Sequence, residues 1–515
     1  MQYPIHSEGI SEDFRFAGIA LDMKYQGIGE DEWSILYERS KEVGIISQIE
    51  AMFSGELLNT TELRPVLHTA LRNISGSAIL LDGKDIMPDV RAVWDRIQAL
   101  CDEWIGVTDL IHIGIGGSVF GPDLVTKALE NLPQSKSRGM RIHFAANVDS
   151  EELAGIFKKA NPVSTKVIIV SKTFSTAETM MNARAVIHWL EINGLSTLQI
   201  HHSLYAVTAN VAKANAFGIA EKNIYPFWDW VGGRFSVWSA VGLCIALQYG
   251  FDTYMEFLEG AHVVDEDFRN KPVESNLPIL MALALIYQQE KGNSNGYAVI
   301  PYANALSQFP LWLQQLEMES HGKRAGRHGE SIEYSSPIVF GSVGCNAQHS
   351  YFQLLHQGKQ TIPVDFILVS TPMSNLPEAQ EHHRFLMANC LAQAQALYSG
   401  KNSKIPNEVY PGQRPSNLII LQKLDAFHLG ALLALYESRT IALGILWGIN
   451  SFDQPGVELG KSLSIPIDLA LKDHTRIDID SIDSITHARI DFLNRDFINR
   501  NIEHSLQSIW VDDLI

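Results

Sequence analysis

The chain is poor in the features that mark several classes of protein. It has only four cysteines in 515 residues (Cys101, Cys244, Cys345 and Cys390), and no two of them have CxxC spacing. This scarcity argues against a disulfide scaffold or a zinc site and fits a reducing cytoplasm. Basic residues are outnumbered by acidic ones, and the formal net charge of −18 argues against nucleic acid or an anionic membrane as a partner.

Long hydrophobic runs are also scarce. The start MQYPIHSEGI has neither a basic nor an apolar stretch, so we expect no secretory signal. The most apolar segments, such as ILMALALIY, look too short to span a bilayer. With 46% hydrophobic and 19% charged residues, the composition is that of a globular protein large enough for two or more domains.

Strand-like segments recur about every 30 residues, with helical stretches between them. The first group is DLIHIGIGG, MRIHFAANVD, STKVIIVSK and HSLYAVTAN. The pattern restarts after residue 290 with GYAVIPYA, SPIVFGS, TIPVDFILVS, NLIILQKL and TIALGILWGI. Such runs are typical of parallel strands buried on both faces, so the sequence predicts two α/β units of similar size. We expect a final amphipathic helix over 484–504.

Ligands of open parallel sheets bind beyond the carboxyl ends of strands, and the first loop to consider there is IGIGGSVFGP, residues 113–122. Its glycines let backbone N–H groups approach an anion, and Pro122 suits the start of a helix. A dinucleotide site is one alternative, with Asp149 as the ribose-binding acid. It is disfavoured because Val119 replaces the third glycine of G-x-G-x-x-G. A tight turn without a ligand is another alternative.

The second loop is SKTFSTAETMMNA, directly after the strand KVIIV. Lys172 offers positive charge, and Ser175-x-x-Glu178 predicts a capping box at the start of a helix. The available hydroxyl groups belong to Ser171, Thr173, Ser175, Thr176 and Thr179. Hydroxyls, a lysine and a helix N-terminus together indicate a phosphate site, although hydroxyls that merely cap the helix stay an alternative. No GxxxxGK[ST] occurs, so a nucleoside triphosphate is not indicated.

The segment SQFPLWLQQLEMESHGK predicts a helix that ends in two glutamates of different orientation. Its apolar side chains are Phe309, Trp312, Leu313 and Leu316. The same stripe continues to Glu319 and leaves Glu317 on the other side. An inward carboxylate at a helix end has its charged form disfavoured, which suits a general base. The alternative is a frayed last turn with Glu319 in solvent.

Three further segments carry polar groups beside predicted strands. Arg234 follows two glycines in WDWVGGRFSVWSAVG, and His349 precedes a helical pattern in GSVGCNAQHSYFQLLHQG. NSFDQPGVELGKSL, after what is predicted to be a buried strand, offers Gln454, Glu458 and Lys461. Each has a structural alternative: an ion pair for Arg234, a buried structural role for His349 and a surface charge for Lys461.

Together these segments closely resemble the successive signature motifs of the glucose-6-phosphate isomerase family. The motifs IGIGGSVFGP, SKTFSTAET, VGGRFSVWSAVG, QLEMESHGK, CNAQHSYFQLLHQG and FDQPGVELGK occur in the family's order, and GELLNTTELRPVLHTALRN and LLDGKDIMPDV resemble its N-terminal region. The resemblance implies an α/β fold of two sugar isomerase (SIS) domains, each a parallel-sheet α/β sandwich, with helical extensions at both ends. The expected boundaries are 1–75 for an N-terminal extension packing on the large domain, 76–245 for the first and smaller SIS domain, 246–475 for the second and larger one, and 476–515 for a C-terminal helical extension.

The resemblance also implies the reaction: reversible isomerisation of glucose 6-phosphate and fructose 6-phosphate, in glycolysis and gluconeogenesis. It would proceed by ring opening and a cis-enediol(ate), without metal or cofactor. Glu319 matches the base, Arg234 the residue facing the enediolate, and His349 and Lys461 the ring-opening pair. The histidine would reach in from the neighbouring subunit of a homodimer. The remaining substrate contacts would be Gly117, Ser118, Ser171, Lys172, Thr173, Thr176, Thr179, Gln315 and Gln454.

The chain departs from the family pattern at several loop positions. His321 stands where asparagine is usual, and Pro455 replaces a tryptophan. SVGC, with Ser342 and Cys345, replaces EPGT, and Ala347 replaces a glycine. We expect these changes to alter loop shape, and with it turnover or selectivity, but the residues assigned to chemistry are all present. A sugar-phosphate-sensing module of the same fold, which binds without turnover, is the alternative function.

Overall fold

The computed structural model describes residues 15–133, 137–292, 294–472 and 482–493. The chain divides into two compact units, Met1–Asp453 and Gln454–Ile515. The strands are β1 (Arg15–Phe16), β2 (Ile19–Asp22), β3 (Leu80–Leu81), β4 (Lys84–Asp85), β5 (Asp109–Ile113), β6 (Arg141–Ala145), β7 (Thr165–Val170), β8 (Leu204–Thr208), β9 (Ile224–Pro226), β10 (Gly296–Tyr302), β11 (Ile338–Phe340), β12 (Val364–Val369) and β13 (Ser416–Leu421).

The helices follow in the same chain order. They are α1 (Glu30–Glu42), α2 (Ile45–Phe53), α3 (Met87–Glu103), α4 (Phe120–Glu130), α5 (Ser150–Phe157), α6 (Ala177–Ile192), α7 (Thr197–Ser203), α8 (Val211–Ala216), α9 (Leu243–Tyr249), α10 (Phe251–Asn270), α11 (Leu277–Gly292), α12 (Phe309–Gln314), α13 (Gly344–Gln348), α14 (Phe352–Gln357), α15 (Ala379–Ser399), α16 (Ala426–Trp447), α17 (Glu458–Lys472) and α18 (Ser484–Leu493).

The first sheet has the strand order β6-β5-β7-β8-β9, and all neighbouring strands are parallel. Its strands read as continuous apolar runs because both faces are covered. Ile168 packs into the main core of the unit, whereas its neighbours Val167 and Ile169 pack into a second cluster on the opposite face. The predicted α/β class and the four strands predicted here are confirmed.

The second sheet has the order β1-β2-β13-β12-β10-β11. The strands β13, β12, β10 and β11 are mutually parallel, and they repeat the arrangement of β8, β7, β5 and β6 in the first sheet. The short strand β2 adds antiparallel to β13, with Ile419 opposite Leu21. The predicted restart of the α/β pattern after residue 290 is therefore confirmed.

The prediction of a fifth strand in this half of the chain is wrong. The first eight residues of TIALGILWGI form the last part of helix α16, which is buried along nearly its whole length. Asp425 caps its N-terminus by accepting from the backbone N–H of His428, and Gly448 ends it in the left-handed conformation. An apolar run buried on all sides has no amphipathic period, so periodicity cannot separate such a helix from a buried strand.

Helix α16 also corrects the expectation that all apolar stretches are too short to span a bilayer. At 22 residues it is long and apolar enough to do so, but its apolar window is 100% buried inside the protein. It packs against α10 and α11, so burial in the protein core accounts for its composition.

The second unit contributes two described helices, α17 and α18. Ala470, Ile482 and Ile490 form a small apolar cluster between them. The predicted final helix over 484–504 is confirmed for Ser484–Leu493, and its remainder lies outside the described residues.

Candidate active site

The glycine loop after β5 and the hydroxyl loop after β7 lie at the same edge of the first sheet, because these neighbouring strands are parallel. In the glycine loop, Gly116–Ser118 form one 3₁₀ turn, and Gly116 has a φ of 58°. A Cβ on Gly117 would lie 2.2 Å from the carbonyl of Gly233. Only glycine allows this approach, which brings the loop against the turn that carries Arg234.

The hydroxyl loop leads into helix α6, as predicted, but the predicted capping box of Ser175 and Glu178 does not form. The helix begins one residue later than predicted, with Thr176 at the N-cap, and no side chain caps it. Ser175 instead donates to the Thr173 hydroxyl at 2.9 Å, and Ser171 and Thr176 share a hydroxyl contact of 3.2 Å. The first N–H groups of a helix have no intrahelical acceptor, so this loop retains donors for an anion.

The side chain of Phe174 holds the hydroxyl loop in this shape. Phe174 has a φ of 50°, an unfavourable value for a bulky residue, while its buried ring packs edge-on against Phe217. Such strain is retained where the surroundings enforce it, commonly at ligand sites. Thr179, on the first turn of α6, is buried, and its hydroxyl has no hydrogen-bond partner within the described residues.

Lys172 joins the hydroxyl loop to the segment that precedes Arg234. Its ammonium donates to the carbonyls of Asp229 and Val231, both at 2.9 Å. Burial lowers the pKa of Lys172, and the nearby Arg64 lowers it further. Two of the three ammonium hydrogens are thus used to fix the lysine, which leaves one N–H for a ligand.

Arg234 is buried in a cage of acceptors. Its Nε donates to Ser320 Oγ at 2.7 Å, and Nη2 donates to the carbonyls of Ser451 and Asp453. Its Nη1 lies 3.7 Å from Glu319 Oε2. Burial lowers the pKa of Arg234, while Glu319 and Asp453 oppose the effect. The guanidinium stays charged at neutral pH because its ordinary pKa is so high.

Glu319 lies on a π-helical turn, Gln315–Glu319, that continues from α12. Its side chain is 24% exposed, and its carboxylate accepts from Gln315 Nε2 at 2.8 Å. The predicted helix is found and Glu319 is partly buried, but the prediction that Glu317 faces away is wrong. The wider π turn changes the register of the helix, and Glu317 is completely buried.

Glu317 belongs to a buried polar network behind the site. Its Oε1 accepts from Thr440 at 2.8 Å and lies 3.6 Å from Arg439. Burial alone would raise the pKa of Glu317, but Arg439, His321 and Thr440 outweigh it and lower the pKa. Glu317 is therefore a buried anion with a structural role.

His349 lies between α13 and α14, and it is exposed. Gln454 and Lys461 belong to the second unit, where Gln454 precedes a 3₁₀ turn and Lys461 pairs with Glu458 at 2.7 Å. The first unit thus brings together the two loops, Arg234 and Gln315–Glu319, and the roles of all these residues, like those of the other three, stay predictions.

The acceptors around Arg234 were missed in the sequence. Ser320 lies within the quoted motif QLEMESHGK, and Ser451 and Asp453 lie in NSFD, the polar segment that follows α16. Lys323, also in the motif, forms an ion pair with Asp453 at 2.6 Å and thereby fixes this segment. A polar stretch after a long apolar run was the available signal, but its partner is more than 200 residues away in the sequence.

Metal-binding groups of three or more histidine, cysteine or acidic side chains are absent from the described part of the chain. The positive groups of the site are Lys172 and Arg234, and the loop donors are hydroxyl and N–H groups. Such a set suits a ligand that carries a phosphate group and is otherwise uncharged.

Comparisons with known proteins match most of the chain. The family described as phosphoglucose isomerase matches residues 22–490. A glucose-6-phosphate isomerase from Cupriavidus taiwanensis is 42% identical over 479 residues, covering 88% of this chain and 87% of that protein. One from Marinomonas sp. is 43% identical over 482 residues, covering 88% and 87%. The crystal structure of a glucose-6-phosphate isomerase from Chlamydia trachomatis superimposes with a TM-score of 0.86 at 30% identity, covering 95% of both chains.

Proposed function

This chain belongs to the phosphoglucose isomerase family, and we propose that it interconverts glucose 6-phosphate and fructose 6-phosphate. One observation carries the proposal: a partly buried carboxylate, Glu319, faces the buried guanidinium of Arg234 at 3.7 Å. The reaction moves a proton between two carbons of one sugar. It therefore needs a base within reach of both carbons and a fixed cation for the intermediate.

The hydroxyl loop binds the phosphate group. Lys172 supplies positive charge, while Ser171, Thr173, Thr176 and Thr179 and the first N–H groups of α6 supply hydrogen bonds. This local charge is needed because the protein as a whole carries −18. Binding at the phosphate positions the far end of the sugar, where the chemistry takes place.

Glu319 removes the proton from C2 of the open-chain aldose and returns it to C1. The electrons pass to the carbonyl oxygen and form a cis-enediolate, whose negative charge Arg234 stabilises, and the hydroxyl proton of O2 moves to O1 as C1 is protonated. Gln315, Gly117 and Ser118 contact the sugar beside these groups. No external oxidant or reductant is needed, because one carbon is oxidised as its neighbour is reduced.

Ring opening precedes this step, because hexose phosphates are mostly cyclic. His349 delivers the proton to the ring oxygen, Lys461 assists it, and Gln454 contacts the substrate. The exposed position of His349 supports a homodimer in which each site receives this residue from the partner subunit.

The same proposal covers the setting of the enzyme. It acts in glycolysis and gluconeogenesis without a cofactor or metal, and the scattered cysteines support a cytoplasmic location. The two SIS domains span residues 76–245 and 246–475, flanked by the extensions 1–75 and 476–515. In this proposal the five-stranded sheet is the centre of the smaller domain and the six-stranded sheet that of the larger one.

A direct assay tests the function. Purified full-length protein is incubated with fructose 6-phosphate and no cofactor in D₂O, and the products are followed by NMR. We expect glucose 6-phosphate with deuterium at C2, because the proton held by Glu319 exchanges with solvent in part of the turnovers. Tight binding of fructose 6-phosphate without product would instead support the sensing module and overturn the proposed function.

A further inference from the structure

His321 is a buried imidazole directly behind the base. It has no exposed surface, and its ring packs edge-on against Trp447 at 5.2 Å. Nε2 lies 3.0 Å from Ser451 Oγ, and Nδ1 faces Glu317 Oε2 at 3.8 Å. The residue therefore connects the buried network of Glu317 to the segment that holds Arg234.

The surroundings of His321 favour one tautomer of its ring. Glu317 Oε2 lies 3.8 Å from Nδ1, which is beyond hydrogen-bond distance, but its negative charge favours the hydrogen on Nδ1. Burial lowers the pKa of His321, Glu317 opposes this, and Lys323 and Arg234 lower it further, so the ring is neutral near pH 7. Nε2 is then an acceptor, and the hydroxyl of Ser451 donates to it.

Ser451 passes this constraint to Arg234. With its hydroxyl held by His321, its backbone carbonyl accepts from Nη2 of Arg234. The fold leaves space for the contact at Gly444 on α16. A Cβ there would lie 1.8 Å from Ser451 Oγ and 3.2 Å from His321 Nε2.

We propose that His321 and Ser451 form a positioning pair that holds the guanidinium of Arg234 in place against Glu319. The inference rests on the proposed function, because the position of Arg234 matters where enediolate charge develops. Neither side chain is proposed to touch the substrate. This pair also explains why histidine can stand at position 321 in place of the usual asparagine. An imidazole extends further from the backbone than an amide, and this brings Nε2 to Ser451 Oγ.

Displacing a charge-stabilising group by about 1 Å can reduce the rate about a hundredfold. We therefore expect His321→Leu, which removes the acceptor, to lower kcat about tenfold to a hundredfold with little change in KM. His321→Gln places an amide oxygen near the position of Nε2, and it should retain most of the rate. A role in core packing alone predicts no such rescue.

Two inhibitors separate positioning from general damage. A phosphorylated sugar hydroxamate mimics the planar, charged enediolate, whereas a hexitol 6-phosphate mimics the uncharged open chain. His321→Leu should weaken binding of the hydroxamate by about the same factor as it lowers kcat, and leave hexitol phosphate binding unchanged. Equal losses for both inhibitors would overturn the proposal.

A double-mutant cycle tests the pair itself. Ser451→Ala should lower kcat as His321→Leu does, and the double variant should be no slower than the slower single variant, because one contact is lost in each case. If the loss of kcat in the double variant equalled the product of the two single losses, the pairing would be refuted. His428→Leu is the matched control: it removes another buried imidazole, on the opposite end of α16 from Gly444, and should lower stability without lowering kcat. A wild-type protein without isomerase activity would contradict the proposed function, whereas an active wild type with unaffected variants would contradict only the positioning pair.

Discussion

Two glutamates separated by one residue should respond in opposite ways to the same substitution. Glu319 is 24% exposed beside Arg234, whereas Glu317 is completely buried behind it. Replacing either by glutamine keeps the size of the side chain and removes its charge. The comparison therefore separates a carboxylate that performs chemistry from one that holds the fold together.

Glu319→Gln should abolish most of the turnover. An amide cannot accept the C2 proton, and general base catalysis contributes about 10² to 10⁴ in rate, which corresponds to about 3–5 kcal/mol of activation free energy. The amide can still pair with Gln315, and the contact with Arg234 is 3.7 Å long, so little folding free energy is lost. Sugar phosphate binding should remain.

Glu317→Gln should mainly destabilise the protein. Arg439 keeps two partners, a hydrogen bond to Tyr297 at 2.6 Å and Asp365 at 3.7 Å, so it is not left unpaired. The loss is therefore nearer that of one charged hydrogen-bonding group, about 1.5–3 kcal/mol, than the larger cost of a broken buried ion pair. An exposed Glu317, as the helical period predicts, would instead make this substitution nearly silent.

The assay measures kcat with fructose 6-phosphate and the thermal unfolding midpoint of both variants. The expected pattern is a slow but stable Glu319→Gln and an unstable variant at Glu317 that retains far more activity per folded molecule. Wild-type turnover in Glu319→Gln would remove that residue from the mechanism. An unchanged unfolding midpoint in Glu317→Gln would refute the buried network as a source of stability.

Three further predictions follow from other parts of the structure. Lys172→Ala should raise KM for sugar phosphates and weaken inhibition by inorganic phosphate, unlike the exposed control Lys222→Ala; equally efficient use of glucose and glucose 6-phosphate would contradict the phosphate loop. His349→Ala should be slow, and mixing it with Glu319→Gln subunits should restore activity if each site takes these residues from different chains; subunit exchange without recovery would refute the shared site. Burial raises the pKa of Glu437 from its ordinary value of 4.5 to about 7, against the pull of Arg72. Its contribution to stability is therefore full below about pH 4.5 and lost as the pH rises through 7, so wild type should gain unfolding free energy over Glu437→Gln on acidification, by at most about 1.4 kcal/mol per pH unit. Parallel pH profiles of the two proteins would contradict this.

The sequence by itself determined the α/β class, eight of the nine strands it predicted and the loops that follow β5 and β7. These are local properties: apolar runs of strand length, glycines and hydroxyls directly after them, and a helical period before Glu319. It also predicted a phosphate site from residues that lie within one short segment, because hydroxyls, lysine and helix N-terminus are neighbours in the chain.

The tertiary structure decided what depends on contacts between distant residues. Whether TIALGILWGI forms a strand or a helix depends on burial by α10 and α11, not on its own composition. The orientation of Glu317 depends on a π turn whose buried carboxylate is matched by Arg439, more than 100 residues later. The cage of Arg234 combines Ser320 with carbonyls of the segment after α16. A backbone carbonyl is present at every residue, so no side-chain pattern can show which one will accept a given hydrogen bond; only the folded chain brings donor and acceptor within reach.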